Sequence, residues 1–334
     1  MRPVPRTVAV IGSGSLARAV VYSLADVLTE PVDVHLLARS SGPLATMAHI
    51  ATRRSALLGG QARFTAHPLD TVVAGAEVVL NCSSTHSSAE ARVRPSAWTD
   101  LIKACGIALA LPFHAAFAAR MSRIAGDALF VNAAFPDAVN PVLAALSLPI
   151  HCGAGNIATL AASAGGDIRM LAHHYHLSTP PRDEARMWIG ADEVTDVRDR
   201  LAPLRACERP MLNDLTGHTA ALLVRDLLRE GPIRTHVPGP LGLPGGYPVL
   251  LEQGRIELDL PPGVSEADAV AWQLTWGALD GVAVDRRGRA TYSDHVLEAA
   301  ERYVKLPSTM EPAETIAFAE ELDLVRKRLR GNEY

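Results

Sequence analysis

Val8-Ala9-Val10-Ile11-Gly12-Ser13-Gly14-Ser15-Leu16-Ala17 is the stretch whose reading decides the fold. Its short apolar start predicts a buried strand, and the residues from Ser15 to Leu28 carry the apolar period of a helix. Between them the small residues keep the G-x-G-x-x-A spacing, each for its own reason. Gly12 permits the tight turn, Gly14 lets backbone approach a diphosphate, and Ala17 lets helix pack on strand. The helix N-terminus adds free N–H groups and the positive end of its dipole. Gly12, Ser13, Gly14, Ser15, Leu16 and Ala17 are therefore read as the diphosphate cradle of a dinucleotide, against the plainer reading of a glycine-closed turn.

Downstream, β-branched runs alternate with helical segments, the pattern of a parallel sheet with crossover helices. Strands are predicted at Thr7–Gly12, Asp33–Ala38, Ala62–Ala66, Glu77–Cys82, Ile107–Leu111 and Ala128–Ala133. Six strands suit a doubly wound sheet built of two mononucleotide-binding halves. Past residue 149 come a strand running into the turn Cys152-Gly153-Ala154-Gly155-Asn156, a helix, a strand at 167–172 and a His-rich loop. Helices at about 192–206 and 215–229 follow, then two hairpins, Val249–Leu251 with Arg255–Leu260 and Val282–Val284 with Ala290–Tyr292. The expected class is α/β: a Rossmann domain over residues 1–149 and an α+β substrate and oligomerisation domain over 150–334.

The tip of the second strand selects the dinucleotide. A carboxylate there would take the ribose 2′-hydroxyl of NAD. This chain has Arg39, Ser40 and Ser41 instead, which suit a 2′-phosphate, so NADP is expected in preference to NAD. Beyond the fourth strand, Cys82, Ser83 and Ser84 open the loop at the carboxyl edge of the sheet and should border the nicotinamide side. Arg92 and Arg94 either fold over a substrate as a lid or stay as solvated charges.

Composition mainly excludes. With 334 residues, 48% hydrophobic and 20% charged, the chain is neither disordered nor fibrous, and at roughly 100–200 residues per domain its length predicts two domains or one large α/β unit. Lys+Arg of 32 against Asp+Glu of 36 gives a net charge of -4, so no basic field attracts nucleic acid or an anionic membrane. The apolar run Gly106 to Ala119 is interrupted by Pro112 and His114, short of the 18 or so residues of a membrane span. The N-terminus has no signal-peptide pattern, and the four cysteines (82, 105, 152, 207) show no paired spacing. A cytoplasmic protein with free thiols is expected.

The order of motifs resembles the lactate/malate dehydrogenase superfamily over nearly the whole chain. Asn132, in Phe130-Val131-Asn132-Ala133-Ala134-Phe135-Pro136-Asp137, resembles the Asn that binds substrate and carboxamide in that family. Ile150–Ile157 resembles its Gly-x-Gly strand-to-helix turn. His174, six residues before Pro180, falls where the family has its catalytic His. Gly217-His218-Thr219-Ala220 resembles a segment lining the substrate pocket, and the hairpin ending at Leu260, with Ser265-Glu266-Ala267 after it, resembles the family's C-terminal strand pair and helix. The resemblance implies hydride transfer to a small molecule, catalytic roles for His174 and Asn132, and a homodimer or homotetramer. Asn156, His176 and Thr219 would shape the substrate pocket, with Arg92 or Arg94.

Two departures qualify the substrate. In the family, the helix after the Gly-x-Gly turn carries an Asp that orients the His and an Arg that grips a substrate carboxylate. Here that helix reads Asn156-Ile157-Ala158-Thr159-Leu160-Ala161-Ala162-Ser163-Ala164, without either charge. Reduction of a C=O or C=N bond by NADPH, with His174 passing the proton, is the leading expectation. Cys152 and His174, 22 residues apart, also resemble the Cys and His metal ligands of family 4 glycosidases, which implies a NAD- and metal-dependent hydrolase or lyase as the alternative. A catalytically silent NADP-binding protein is the third reading.

Overall fold

The computed structural model describes residues 5–83, 85–86 and 95–330, with Ser41 and Arg209 described by backbone alone. The strands β1 (Arg6–Ile11), β2 (Val32–Ala38), β3 (Arg63–Pro68), β4 (Val78–Asn81), β5 (Leu129–Asn132) and β6 (Cys152–Gly153) form one sheet in the order β3-β2-β1-β4-β5-β6. Every pairing in it is parallel. This is the strand order of the doubly wound dinucleotide fold, whose ligands lie beyond the carboxyl ends of the strands at the β1/β4 reversal.

Buried on both faces, β1 shows the pleat directly. Val8 and Val10 face the core beneath α1 (Ser15–Val27), α2 (Ser41–Leu57) and α8 (Leu212–Leu227), whereas Ala9 and Ile11 face a second core. That second core holds α3 (Ala97–Cys105), α4 (Leu111–Ala125) and α5 (Pro136–Ala145). It also takes in a C-terminal segment of strands Val282–Val284, Ala290–Tyr292 and Thr309–Met310 with helices Asp294–Glu301 and Pro312–Leu329. Residues 282–325 thus return to cover the first domain's sheet.

The strand expected at Ile107–Leu111 is not one. Residues Gly106–Ala110 form a 3₁₀ turn that runs into α4, and the sixth strand of the sheet is Cys152–Gly153, beyond residue 149. Leu109, Leu111, Phe113, Ala115 and Phe117 are all buried, and a segment enclosed on all sides has no apolar period by which to tell helix from strand. Gly106, at φ 58°, ends α3, and Pro112 sits in the first turn of α4. The helical stretch Ala97–Ala125 has, by length and composition, what a membrane span needs, contrary to expectation, and 67% of its most apolar window is buried inside the protein.

Where α8 crosses α1, Gly217 permits near contact: a Cβ on it would stand 2.4 Å from Ala19 Cβ and 2.8 Å from Ala19 carbonyl carbon. Gly217→Ala gains about 1 kcal/mol of helix propensity, against overpacking costs of typically 1–3 kcal/mol. With backbone as the obstacle the overpacking wins, so Gly217→Ala should lower the denaturant midpoint, and a rise would refute this reading of the contact.

His236 makes a second prediction. Its Nε2 accepts the Met170 N–H at 3.0 Å, and burial, opposed by Asp259, holds its pKa down at about 4. The unfolded chain then takes the proton first, so stability is full above about pH 6.5 and falls as pH drops from there toward 4. Thermal unfolding should show this slope, and His236→Gln, which keeps an acceptor but cannot titrate, should flatten it; an equal slope in the variant would assign the effect elsewhere.

Candidate functional site

The strand-to-helix turn has the expected form. Gly12 adopts φ 130°, and a Cβ there would meet Cys82 O at 3.1 Å and Ala17 Cβ at 3.3 Å, so glycine is required. Ser13, Gly14 and Ser15 are exposed and Ala17 is fully buried. Around Gly14 a Cβ would meet nothing within 4 Å. The first turn of α1 has no side-chain cap bond among the described residues and no acidic residue, so its first N–H groups are not taken by a side-chain cap. Ser15 Oγ accepts from Asn213 Nδ2 at 3.0 Å, and Leu16 is half-buried.

At the tip of β2, Arg39 is exposed and Ser40 is the cap residue of α2 with its hydroxyl making no cap bond. Beyond β4, the Ser83 N–H donates to Asn81 Oδ1 at 3.1 Å. Burial pushes the Cys82 thiol up to about 12, which keeps it protonated at neutral pH. Ser84, Arg92 and Arg94 lie outside the described residues, as does the Ser41 side chain.

Asn132 is fully buried and its amide is spent within the protein. Asn81 Nδ2 donates to Asn132 Oδ1 at 3.0 Å, Asn132 Nδ2 to Asn140 Oδ1 at 3.1 Å, and Asn140 Nδ2 to Gly239 O at 3.0 Å. The expected contact of its side chain with substrate or carboxamide is replaced by a positioning role for the carboxyl edge of β4 and β5.

His174 has the partners its own helix did not predict. Phe135, in the left-handed region at φ 52°, precedes α5 and turns Asp137 inward, where Asp137 Oδ2 lies 2.9 Å from His174 Nδ1. On the other side Asp280 Oδ1 lies 3.0 Å from His174 Nε2. Burial lowers the imidazole pKa, but Asp280 and then Asp137 outweigh it and raise it to about 10, so His174 is a cation between two carboxylates. His173 Nε2 lies 3.5 Å from Asp280 Oδ2, and burial, with the charge of His174, keeps His173 neutral.

The remaining expected pocket residues do other work. His176 is fully buried, stacked on Trp272 at 5.6 Å and against Trp276 at 4.2 Å, with its Nδ1 accepting the His173 N–H. Thr219 is buried between helices, donating to Thr216 O at 3.0 Å, and Thr159 joins the same hydroxyl cluster. Asn156 opens α6 (Asn156–Ala164) half-buried. Cys152 is fully buried in β6, with its thiol raised by burial, and the one cluster of metal-ligating side chains among the described residues is Asp137, His173 and His174. Cys152 is not part of that cluster, whereas His174 is.

No protein-family profile matches the chain, and no curated protein does. Solved structures do. A lactate dehydrogenase from Cryptosporidium parvum is 13% identical, covering 83% of this chain and 97% of its own, with a TM-score of 0.55. A lactate dehydrogenase from a Medee basin deep-sea metagenome library is 10% identical, covering 83% and 98%, with a TM-score of 0.58. A malate dehydrogenase from Aeropyrum pernix is 16% identical, covering 81% and 98%, at 0.52. The fold is that of the lactate and malate dehydrogenases, a Rossmann sheet followed by an α+β domain.

Proposed function

We propose that this chain is an oxidoreductase that uses a nicotinamide dinucleotide to reduce a C=O or C=N bond of a small molecule. The observation that carries the reading is the Gly12–Ala17 turn: a Cβ-excluding Gly12, open space at Gly14 and an uncapped helix N-terminus meet at the strand-order reversal. The Cryptosporidium parvum enzyme of the same fold was solved with lactic acid and nicotinamide adenine dinucleotide. That supports the dinucleotide but favours NAD, while Arg39, exposed and in no ion pair among the described residues, favours NADP. When bound, the dinucleotide supplies the hydride.

The chain's own residues hold the diphosphate at Gly12–Ala17 and the 2′-phosphate at Arg39 and Ser40. His174 carries the proton, and Asp137 orients it through Nδ1. The helix Asn156–Ala164 offers no guanidinium, and Asp137 and Asp280 make the site acidic, so a 2-oxo acid carboxylate has no clamp there. A neutral carbonyl or an iminium fits better. A second reading, a dinucleotide-binding protein without turnover, is favoured by one observation: Asp280 occupies the His174 nitrogen that a substrate would need.

Two measurements test this. Gly14→Asp places a carboxylate in open space at the helix N-terminus, so the fold should persist while dinucleotide affinity drops at least about tenfold, equivalent to about 1.4 kcal/mol. In the same titrations NADPH should bind more tightly than NADH, a preference that Arg39→Ala abolishes; tighter NADH binding in the parent would reject the role of Arg39. For chemistry, His174→Gln should retain dinucleotide affinity and lose at least about a hundredfold in turnover against a carbonyl and imine panel. No turnover by the parent protein on that panel would favour the silent reading.

A further inference from the structure

The helix α8 comes from the far half of the chain, yet it stands beside the diphosphate turn. Asn213 Nδ2 meets Ser15 Oγ at 3.0 Å across 198 residues, and one turn further on Gly217 packs on Ala19. Ser15 and Ala19 share the four-residue spacing of Asn213 and Gly217, so α1 and α8 run parallel. At their far ends Val27 and Leu28 border one cleft with Arg225 and Leu228. The Gly217 contact, which has no room for a Cβ, fixes how close α8 lies and holds Asn213, half-buried, level with the first turn of α1.

The direction of the Asn213–Ser15 bond decides what the hydroxyl can do. An amide nitrogen only donates, so the Ser15 oxygen is the acceptor and its own proton must point elsewhere. Among the described residues that proton has no acceptor, and Ser15 is exposed at the helix start, next to the open space around Gly14. Asp214 lies in the first turn of α8 and is exposed, so the N-terminus of α8 does not serve as a second anion site. What α8 brings to the turn is the Asn213 amide.

We propose that Asn213 is a positioning residue for the dinucleotide, holding the Ser15 oxygen so that the Ser15 proton is presented to a diphosphate oxygen. The inference rests on the oxidoreductase reading, in which Gly12–Ala17 cradle that diphosphate. It makes the cradle a joint product of distant parts of the chain: the glycines come from the β1–α1 turn and the direction of the helix-start hydroxyl from α8. A carboxylate at position 213 would reverse the bond, accept the Ser15 proton and withdraw it from the ligand. Because NADP and NAD share the diphosphate, Asn213 bears on affinity for both and not on the choice between them.

Titrations of the full chain with NADP and with NAD test it. Asn213→Ala should weaken both by the same factor, at least about threefold, as for one hydrogen bond to a charged group, with Tm unchanged. Asn213→Asp should weaken both further. Ser15→Ala should show the Asn213→Ala loss or more, and in that background Asn213→Ala should cost nothing extra, because no hydroxyl is left to position. An Asn213 with a merely structural role would cost the same in both backgrounds. Unchanged affinity in Asn213→Ala, additive losses in the double variant, or parent-like binding by Asn213→Asp would each overturn the proposal. Parent protein that binds neither dinucleotide would remove the oxidoreductase reading and this inference together, whereas parent binding that Asn213→Ala leaves intact would remove this inference alone.

Discussion

The arrangement depends on a buried chain of amides. Asn81 ends β4, Asn132 ends β5, Asn140 lies in α5, and Gly239 belongs to the loop that enters from the second domain. Each donates to the next, and the Ser83 and Ala134 N–H groups close the remaining acceptors. A buried polar chain is stabilising only when complete, since each orphaned group costs about 1–3 kcal/mol. Its completeness locks the carboxyl edge of the sheet to the second domain. Gly239, at φ 56°, can present its carbonyl because a Cβ there would strike Asn140. The same lock sets the entry into α5, and with it the direction in which Asp137 points.

A second consequence is that the site is shared between distant segments. Asp137 is 37 residues before His174 and Asp280 is 106 after it. Asp280 opens the segment that folds back onto the first domain. The solved structures of this fold cover 81–84% of this chain while being covered over 94–98% of their own length, so this chain carries more than they share with it. The nearby aromatic layer, with Phe135 against His114 at 6.4 Å and against His174 at 5.8 Å, walls the imidazole off from the helices beneath.

What was legible in the sequence was local. The turn at Gly12 can be read because strand, glycine spacing and helix start are contiguous, and the hairpins can be read because their turns are short. Ile107–Leu111 was not, because enclosure on every side erases periodicity. His174 stood out by clustering with His173 and His176, but its orienting carboxylates could not be found by searching its own domain's helix: Asp137 sits beside the Asn132 motif, and Asp280 in a region with no motif at all. Asn132 shows the opposite error. A motif residue with the right neighbours had its amide drawn into the fold, which only the packing of Asn81 and Asn140 reveals.

The return of residues 282–325 to the first domain has a bearing on how the protein is made. Synthesis delivers the sheet early, yet the face that bears Ala9, Ile11 and Val79 acquires its full cover only when the last helix, Pro312–Leu329, has emerged. Until then an apolar surface on a finished Rossmann sheet stands open. The contacts that close it span some of the longest sequence separations in the chain, Cys105 Sγ to the Val296 carbonyl across 191 residues among them. Folding of the six-stranded sheet is thereby tied to synthesis of residues 282–325, and a nascent protein interrupted before them exposes the kind of surface that chaperones hold.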